Sequence, residues 1–169
     1  MKQGSMKREA FLIRGAAALL SAIGGAGVSL ATPRPSEALD YRTLSEDEWR
    51  KRLTPAQFVV LRKQGTEWAF SSPLDHEKRS GLYSCAGCDL PLFSSKTKFD
   101  SGTGWPSFWA PLPNAVATTT DNSLFEVRTE VHCRRCLGHL GHVFDDGPKP
   151  TGLRYCMNGV ALTFRPNRG

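Results

Sequence analysis

The residue with the clearest chemical potential is Cys156, which is the one cysteine of five that stands outside a CxxC pair. It lies in a short stretch with β-strand character between Gly152 and Gly159. Because strand side chains alternate between faces, Arg154, Cys156 and Asn158 are predicted to point the same way. A fixed cation beside a thiol favours the reactive thiolate, so Cys156 is a candidate nucleophile. The alternative is a buried, unreactive side chain, which is common for a free cysteine.

The other four cysteines form two CxxC pairs, Cys85/Cys88 and Cys133/Cys136, separated by 44 residues. Each pair places two thiolates on one tight turn, and two such turns complete a tetrahedral zinc site with sulfur at about 2.3 Å from the metal. Four sulfur ligands leave no open position, so the predicted role of the one ion is structural. Disulfides and a rubredoxin-like iron site are the alternatives, and zinc is favoured because a CxxC disulfide is strained.

Two histidines and an aromatic loop add further functional groups. His139 and His142 directly follow the second cysteine pair and stand three residues apart across a glycine, so they can converge on one site. If four cysteines satisfy the metal, these histidines are free for acid–base chemistry, although they and His132 are also candidates for spare metal ligands. Trp105 lies in an aromatic loop between glycines. That loop predicts either an apolar wall for a small ligand or a packed surface edge.

The charge of the chain argues against one class of partner. The formal net charge is +6, and half of it comes from the first 31 residues. The basic residues of the remaining chain form no long stripe, so a nucleic-acid partner is not indicated.

Residues 1–38 are predicted to be an export signal and linker. A basic N-terminus precedes an apolar run at 15–31, after which small residues offer cleavage positions. The sequence KREAFL at 7–12 resembles a twin-arginine signal with lysine in place of the first arginine. We therefore expect an exported, periplasmic protein with no membrane span after signal removal, and an uncleaved N-terminal anchor is the alternative. Met6 is a candidate start, which would make the preceding residues an extension.

Residues 39–169 are predicted to form one domain that is mainly β. Capping-box residues at Ser45 and Thr54 predict two short helices near its start. From Gly81 onward the sequence shows short strands and turns without a βαβ rhythm, which favours an antiparallel sandwich or barrel-like fold. Strands are predicted at 92–93, 98–99, 125–131, 153–158 and 160–164.

The motifs together resemble those of the B-type methionine sulfoxide reductases, a family that reduces the R epimer of methionine sulfoxide. The resemblance covers about residues 40–166 and includes both CxxC pairs. It implies two antiparallel sheets in a tent-like arrangement, short N-terminal helices and a structural zinc site. The matching motifs are KFDSG at 98–102, GWPSF at 104–108, HLGHVFDDGP at 139–148 and GLRYCMN at 152–158.

The resemblance also implies a mechanism and its partners. Cys156 would be the nucleophile that becomes a sulfenic acid, and Arg154 would help to activate its thiolate. Many family members carry a second, resolving cysteine where this chain has Thr103. We therefore expect an external thiol, from a thioredoxin- or glutaredoxin-like donor, to reduce the sulfenic acid. The expected enzyme is a monomer acting on oxidised proteins or peptides; the alternatives are a zinc-stabilised binding module and a different thiol redox enzyme.

The family roles of the remaining site residues concern the two ends of the sulfoxide group. Trp105 would form the pocket for the S-methyl group, and Phe144 would line the same pocket. His139, His142 and Asn158 would bind the sulfoxide oxygen and supply its proton, directly or through water. Only one epimer can place its methyl group on the tryptophan while its oxygen faces the histidines.

Overall fold

The computed structural model describes residues 39–123 and 127–168. The predicted signal at 1–38 lies outside the described residues, as does Phe125 of the predicted strand at 125–131. Within the described part of the chain, none of the helices has the length and apolar character needed to cross a bilayer.

Two short helices begin at the predicted capping boxes. Helix α1 spans Glu46–Arg52 with Ser45 as its N-cap, and helix α2 spans Pro55–Lys63 with Thr54 as its N-cap. In both, the N-cap side chain and the side chain three residues later exchange hydrogen bonds with each other's backbone amides. These bonds satisfy amides that a helix start otherwise leaves unpaired. The left-handed backbone of Gln64 ends α2.

The strands form two antiparallel sheets, which confirms the predicted mainly β fold with two short helices. The smaller sheet has the order β2-β1-β9, and the larger has the order β3-β4-β8-β7-β6-β5. The strands of the described residues are β1 (Gly81–Cys85), β2 (Pro91–Ser94), β3 (Lys98–Phe99), β4 (Ser107–Phe108), β5 (Val116–Asp121), β6 (Arg128–Cys133), β7 (His139–Phe144), β8 (Arg154–Met157) and β9 (Leu162–Pro166).

Aromatic side chains join the two sheets. Tyr83 of β1 and Phe93 of β2 belong to the smaller sheet, Phe108 of β4 belongs to the larger sheet, and all three are fully buried. The rings of Phe93 and Phe108 stack with centroids 4.4 Å apart, and Tyr83 meets Phe108 edge-on at 4.9 Å. Such pairs contribute about 0.5–1.5 kcal/mol each beyond the area that they bury. The core therefore holds β4, and with it the centre of the larger sheet, in place.

The end of the chain differs from the predicted strand at 160–164. A 3-10 turn at Gly159–Ala161 comes first, and the strand starts only at Leu162. The backbone amides of Gly159 and Val160 donate to the carboxylate of Glu67 rather than to a neighbouring strand. Hydrogen bonds to the side chain of Glu67, which is distant in sequence, therefore replace the strand-to-strand hydrogen bonds expected at Gly159 and Val160.

Candidate active site and metal centre

Cys156 lies on β8, near the middle of the six-stranded sheet. Its neighbours across the ladders are Ser107 of β4 on one side and His142 of β7 on the other. Cys156 is partly exposed and takes no part in the four-cysteine cluster. The strand pairing therefore sets a free thiol directly beside an imidazole.

A cavity of about 130 Å³ opens beside this thiol. The volume equals about four waters at their liquid density, which suits a group of a few heavy atoms. Five predicted site residues line the cavity: Cys156, His142, Asn158, Trp105 and Phe144. Thr66 and Arg128, which the sequence did not indicate, line it as well. Its walls are thus aromatic in one part and polar in another.

Burial raises the pKa of the Cys156 thiol above its ordinary value. The hydroxyl of Thr103, whose Oγ1 lies 3.8 Å from the cysteine Sγ, and the charge of Arg154 act in the opposite direction but do not outweigh burial. A raised pKa means that the thiol form predominates at neutral pH. Arg154 therefore favours the thiolate, as expected from the sequence, without making it the resting form.

Arg154 has a second contact that the sequence did not indicate. Its guanidinium binds both carboxylate oxygens of Asp146, at 2.8 and 2.7 Å. The same group lies 4.3 Å from the centre of the Phe144 ring, in cation–π geometry. The ion pair lowers the pKa of Asp146. Arg154 thus supports the aromatic wall of the cavity, and its charge is balanced by a neighbouring carboxylate.

A β-bulge brings His139 and His142 to the same face of the sheet. Residues three apart on a regular strand point to opposite faces. Here His142 pairs with Glu130 while His139 pairs with His132, so β7 carries one extra residue between the two pairs. The bulge reverses the alternation, and the two imidazole centres lie 5.4 Å apart. The predicted convergence of the two histidines is therefore present in the structure.

Each histidine is held by a carboxylate. His139 Nδ1 lies 2.7 Å from Glu130 Oε1, and His142 Nε2 lies 2.8 Å from Asp121 Oδ2. Burial lowers the pKa of His139, although Glu130 acts against that shift, so its ring is neutral at neutral pH. With its Nδ1 proton donated to Glu130, Nε2 is left as an acceptor. That atom is buried and has no partner among the described residues.

Two charged residues of the site, Arg128 and Glu130, lie on the face of β6 that the sequence pattern predicts to be exposed to solvent. Arg128 and Glu130 alternate with apolar residues in β6, which is typical of a half-buried strand. In the structure Arg128 lines the cavity and binds Asp121 at 2.7 Å, while Glu130 orients His139. The alternation therefore predicted the wrong buried face here, because Val127 is 72% exposed while Arg128 and Glu130 are partly buried.

Glu67, in the loop after α2, ties three parts of the site together. Its carbonyl oxygen accepts from the indole N–H of Trp105 at 3.2 Å, and its amide donates to Asn158 Oδ1 at 2.9 Å. Its carboxylate accepts from the amides of Gly159 and Val160, at 2.5 and 2.9 Å. No motif in the sequence pointed to Glu67. It fixes the positions of both Trp105 and Asn158.

Asn158 is more constrained than its predicted role required. While Glu67 binds its amide oxygen, its Nδ2 donates to the carbonyl of Leu140 at 3.0 Å. One amide hydrogen remains for a ligand. Asn158 therefore holds the cavity floor to β7 as well as lining it.

The four cysteines Cys85, Cys88, Cys133 and Cys136 form one buried cluster that can hold a metal ion. Their sulfurs all lie within 4.8 Å of one another, and two of the pairs are 3.5 and 3.6 Å apart. A tetrahedral zinc with sulfur at about 2.3 Å requires sulfurs about 3.8 Å apart. A disulfide requires about 2.05 Å, so the disulfide alternative does not fit. Hydrogen bonds from the other three thiols lower the pKa of Cys133, which favours a thiolate in the cluster.

The surroundings of the cluster suit a negatively charged centre. Arg42, Arg62 and Arg135 donate to backbone carbonyls of the two cysteine turns, at 2.8 to 2.9 Å. Four thiolates around a divalent ion carry a net charge of about −2. Helices α1 and α2 cover the turns from outside, where Trp49 contacts Gly87 and Leu61 contacts Gly138 closely. The cluster thus joins β1, β6 and the helical pair.

A free thiol in a small, partly aromatic cavity with a histidine beside it is an arrangement suited to cysteine chemistry, on a β fold whose four-cysteine cluster can hold a metal ion. A family model described as the SelR domain matches residues 53–166. The chain therefore belongs to the SelR domain family, which confirms the resemblance to the B-type methionine sulfoxide reductases.

Named relatives are similar over most of the chain. "Peptide methionine sulfoxide reductase B1, chloroplastic" of Arabidopsis thaliana is 52% identical over 142 residues, which cover 80% of this chain and 70% of that protein. "Peptide methionine sulfoxide reductase MsrB" of Pseudomonas putida (strain W619) is 56% identical over 124 residues, covering 73% of this chain and 93% of that protein. The protein of that name from Methanosarcina barkeri is 56% identical over 122 residues, covering 72% and 86%.

Solved structures were compared as well. The crystal structure of the Mis18 "Yippee-like" domain has a TM-score of 0.43 and 16% identity, and covers 54% of this chain and 100% of that chain.

Proposed function

We propose that this protein reduces the R epimer of methionine sulfoxide in peptides and proteins, with Cys156 as the nucleophile. The observation that carries the proposal is the cavity that sets Cys156 between His142 and an aromatic wall of Trp105 and Phe144. Relatives more than 50% identical over most of this chain are named peptide methionine sulfoxide reductases. That name supports the substrate class.

The reaction transfers one oxygen atom between two sulfurs. The sulfur of Cys156 attacks the sulfoxide sulfur, the sulfur–oxygen bond of the substrate breaks, and methionine leaves. The oxygen and one hydrogen remain on Cys156 as a sulfenic acid, so the cysteine is oxidised by two electrons and the substrate is reduced by two. The proton lost by the thiol is the one that the sulfoxide oxygen needs. His142, directly across the ladder from Cys156, is placed to pass it on.

Selectivity for one epimer follows from the two kinds of cavity wall. The methyl group of the substrate packs on Trp105 and Phe144, and its oxygen faces the imidazole of His142 and the guanidinium of Arg128. The other epimer would exchange these positions and leave the oxygen against aromatic carbon, without a hydrogen bond.

The test is turnover of two peptides that differ only in the configuration at the sulfoxide sulfur. We expect kcat/KM for the R epimer to exceed that for the S epimer by at least about 10²-fold, the effect of losing a hydrogen bond to a buried polar group together with misplacement at the reacting atom. Chromatography of the reduced peptide measures both rates. Equal turnover of the epimers, or none of either, would contradict the proposal.

We further infer that an external thiol regenerates Cys156. Thr103 occupies the position at which the family resemblance implies a resolving cysteine, and the other four cysteines lie in the buried cluster. A thioredoxin- or glutaredoxin-like thiol would form a mixed disulfide with Cys156 as water leaves, and a second thiol would release the reduced enzyme.

Replacing Thr103 by cysteine is expected to change this chemistry. Thr103 Oγ1 lies 3.8 Å from Cys156 Sγ, so a sulfur at position 103 would need only a small shift to bond the cysteine. After one turnover without reductant, mass spectrometry should show a gain of about 16 Da on the wild-type protein, from the sulfenic acid. The Thr103→Cys variant should instead lose about 2 Da, from a disulfide. An intramolecular disulfide in the wild type would refute the external-thiol inference.

The metal and the location complete the proposal. The four-cysteine cluster would hold one structural zinc ion, because its sulfur spacing and its burial suit tetrahedral coordination without an open position. When bound, zinc would supply cross-linking rather than redox chemistry. Residues 1–38 would direct residues 39–169, as a monomer, to the periplasm, and the support for this is the basic and then apolar pattern of the segment.

A further inference from the structure

Two large aromatic side chains are exposed on the loop that carries Glu67. The side chain of Trp68 is 88% exposed, and that of Phe70 is 65% exposed. We call these two residues the aromatic rim. Large apolar groups that stand together in solvent beside a binding cavity indicate an interaction surface. Trp and Phe each offer about 150–250 Å² to a partner, with few rotatable bonds to fix.

The aromatic rim is joined to the wall of the catalytic cavity by hydrogen bonds. The amide of Phe70 donates to the carbonyl of Gly104 at 2.7 Å, and the next residue, Trp105, donates its indole N–H to Glu67. The Phe70 ring packs so closely on Gly104 that a side chain there would lie 2.8 Å from it. The loop that carries the aromatic rim is therefore bonded directly to the residues that form one wall of the cavity.

The backbone of the rim is held in a conformation that the sequence does not favour. Phe70 has φ = 63°, in the left-handed region that bulky residues rarely adopt. The hydroxyl of Ser71 donates to the carbonyl of Trp68 at 2.6 Å and closes the turn between the two aromatic residues. Strain of this kind persists at sites where it serves binding. The backbone that carries the aromatic rim therefore has a defined conformation in the unbound protein.

We propose that the aromatic rim binds apolar side chains that flank an oxidised methionine in an extended polypeptide. This proposal rests on the proposed reductase function and adds a preference among its substrates. The cavity of about 130 Å³ accommodates little more than the end of the oxidised side chain, so the neighbouring residues must lie outside it. Methionine is most often buried, so the oxidised methionines that an unfolded chain exposes come from core segments that also contain other apolar residues. The rim offers such neighbours an apolar surface next to the cavity.

The test compares two peptides, one with leucine on both sides of methionine R-sulfoxide and one with serine on both sides. For the wild type we expect kcat/KM to be about tenfold higher for the leucine peptide, because one buried aliphatic side chain contributes an effect of that size. In Trp68→Ser, and in Phe70→Asn, which tolerates the left-handed backbone, the ratio between the two peptides should fall to about twofold or less. The loss should appear in KM, while kcat is retained.

The matched control is Leu82→Ser, which removes an exposed apolar side chain, 38% exposed, from β1 of the smaller sheet. Its peptide ratio should equal that of the wild type. Equal losses on both peptides in the rim variants would assign the loop a purely structural role and overturn the proposal. So would a wild-type ratio near one. If the wild type reduces neither peptide, the reductase function fails, which is a separate result.

Sedimentation at the assay concentration tests whether a second copy of the chain binds to the aromatic rim instead. We expect a wild-type monomer that Trp68→Ser leaves unchanged. A wild-type dimer that this substitution dissociates would assign the aromatic rim to self-association and overturn the proposal.

Discussion

Replacing Cys156 by serine is expected to lower kcat/KM for the R-sulfoxide peptide by at least about 10³-fold, the scale typical of a lost nucleophile. The hydroxyl of serine is a much weaker nucleophile than a thiol of pKa about 8.5. It also cannot retain the transferred oxygen, because the product would be a peroxide instead of a sulfenic acid. The measurement is reduction of the peptide under excess thiol reductant, followed by chromatography.

Two further readings on the Cys156→Ser variant separate loss of chemistry from loss of fold. The thermal unfolding temperature and the metal content should match those of the wild type, because Cys156 lies outside the four-cysteine cluster. A variant that keeps more than about a tenth of the wild-type turnover would remove Cys156 from the mechanism. Binding without turnover, measured by tryptophan fluorescence, should persist because Trp105 remains in the cavity wall.

Replacing Cys133 by serine is expected to abolish metal binding and to unfold the protein at 37 °C. The cluster joins the end of β1 in one sheet to the end of β6 in the other, beneath the helical pair. Zinc bound by cysteines contributes about 10–16 kcal/mol in small peptides, which is as large as the whole stability of a typical domain, about 5–15 kcal/mol. Elemental analysis should fall from about one zinc per chain to well below one, and circular dichroism should show loss of the cooperative transition.

A matched control for that experiment already exists in Cys156→Ser, which also exchanges one sulfur for oxygen but outside the cluster. If Cys133→Ser melted within a few degrees of the wild type, the metal would not be structural. If elemental analysis of the wild type found iron in place of zinc, the fold argument would stand and the identity of the ion would change. Both results come from the same preparation.

The features of the structure that the sequence indicated in advance are those whose evidence is local. CxxC spacing marks the metal cluster, and counting the remaining cysteine singles out Cys156. The capping boxes also depend on residues only three apart, and both form as predicted. Alternation and turn residues indicated an antiparallel β fold, and the arrangement in two sheets was what the family resemblance implied. Patterns of this kind are complete within a few residues, so one sequence is enough to read them.

The residues that the sequence did not locate act through distant backbone contacts. Glu67 binds Asn158 across 91 residues of chain, and its bonds to Asn158 and Trp105 use its backbone amide and carbonyl, which almost every residue type possesses. The close approach of β7 to β8 between the histidines requires Gly141, where a side chain would lie 2.1 Å from the carbonyl oxygen of Cys156. Neither contact leaves a local pattern. The sequence indicated that Arg154 favours the thiolate of Cys156. It did not indicate the ion pair of Arg154 with Asp146, which lies eight residues away.

An enzyme that repairs oxidised methionine has to work among the same oxidants that created its substrate. Hydrogen peroxide and alkylating reagents attack the anionic form of sulfur, and burial keeps Cys156 mostly in its neutral form. The resting protein is therefore a poor target for the agents around it. Its reactivity is reserved for a molecule that enters the small cavity and brings its own proton acceptor, the sulfoxide oxygen, next to the sulfur.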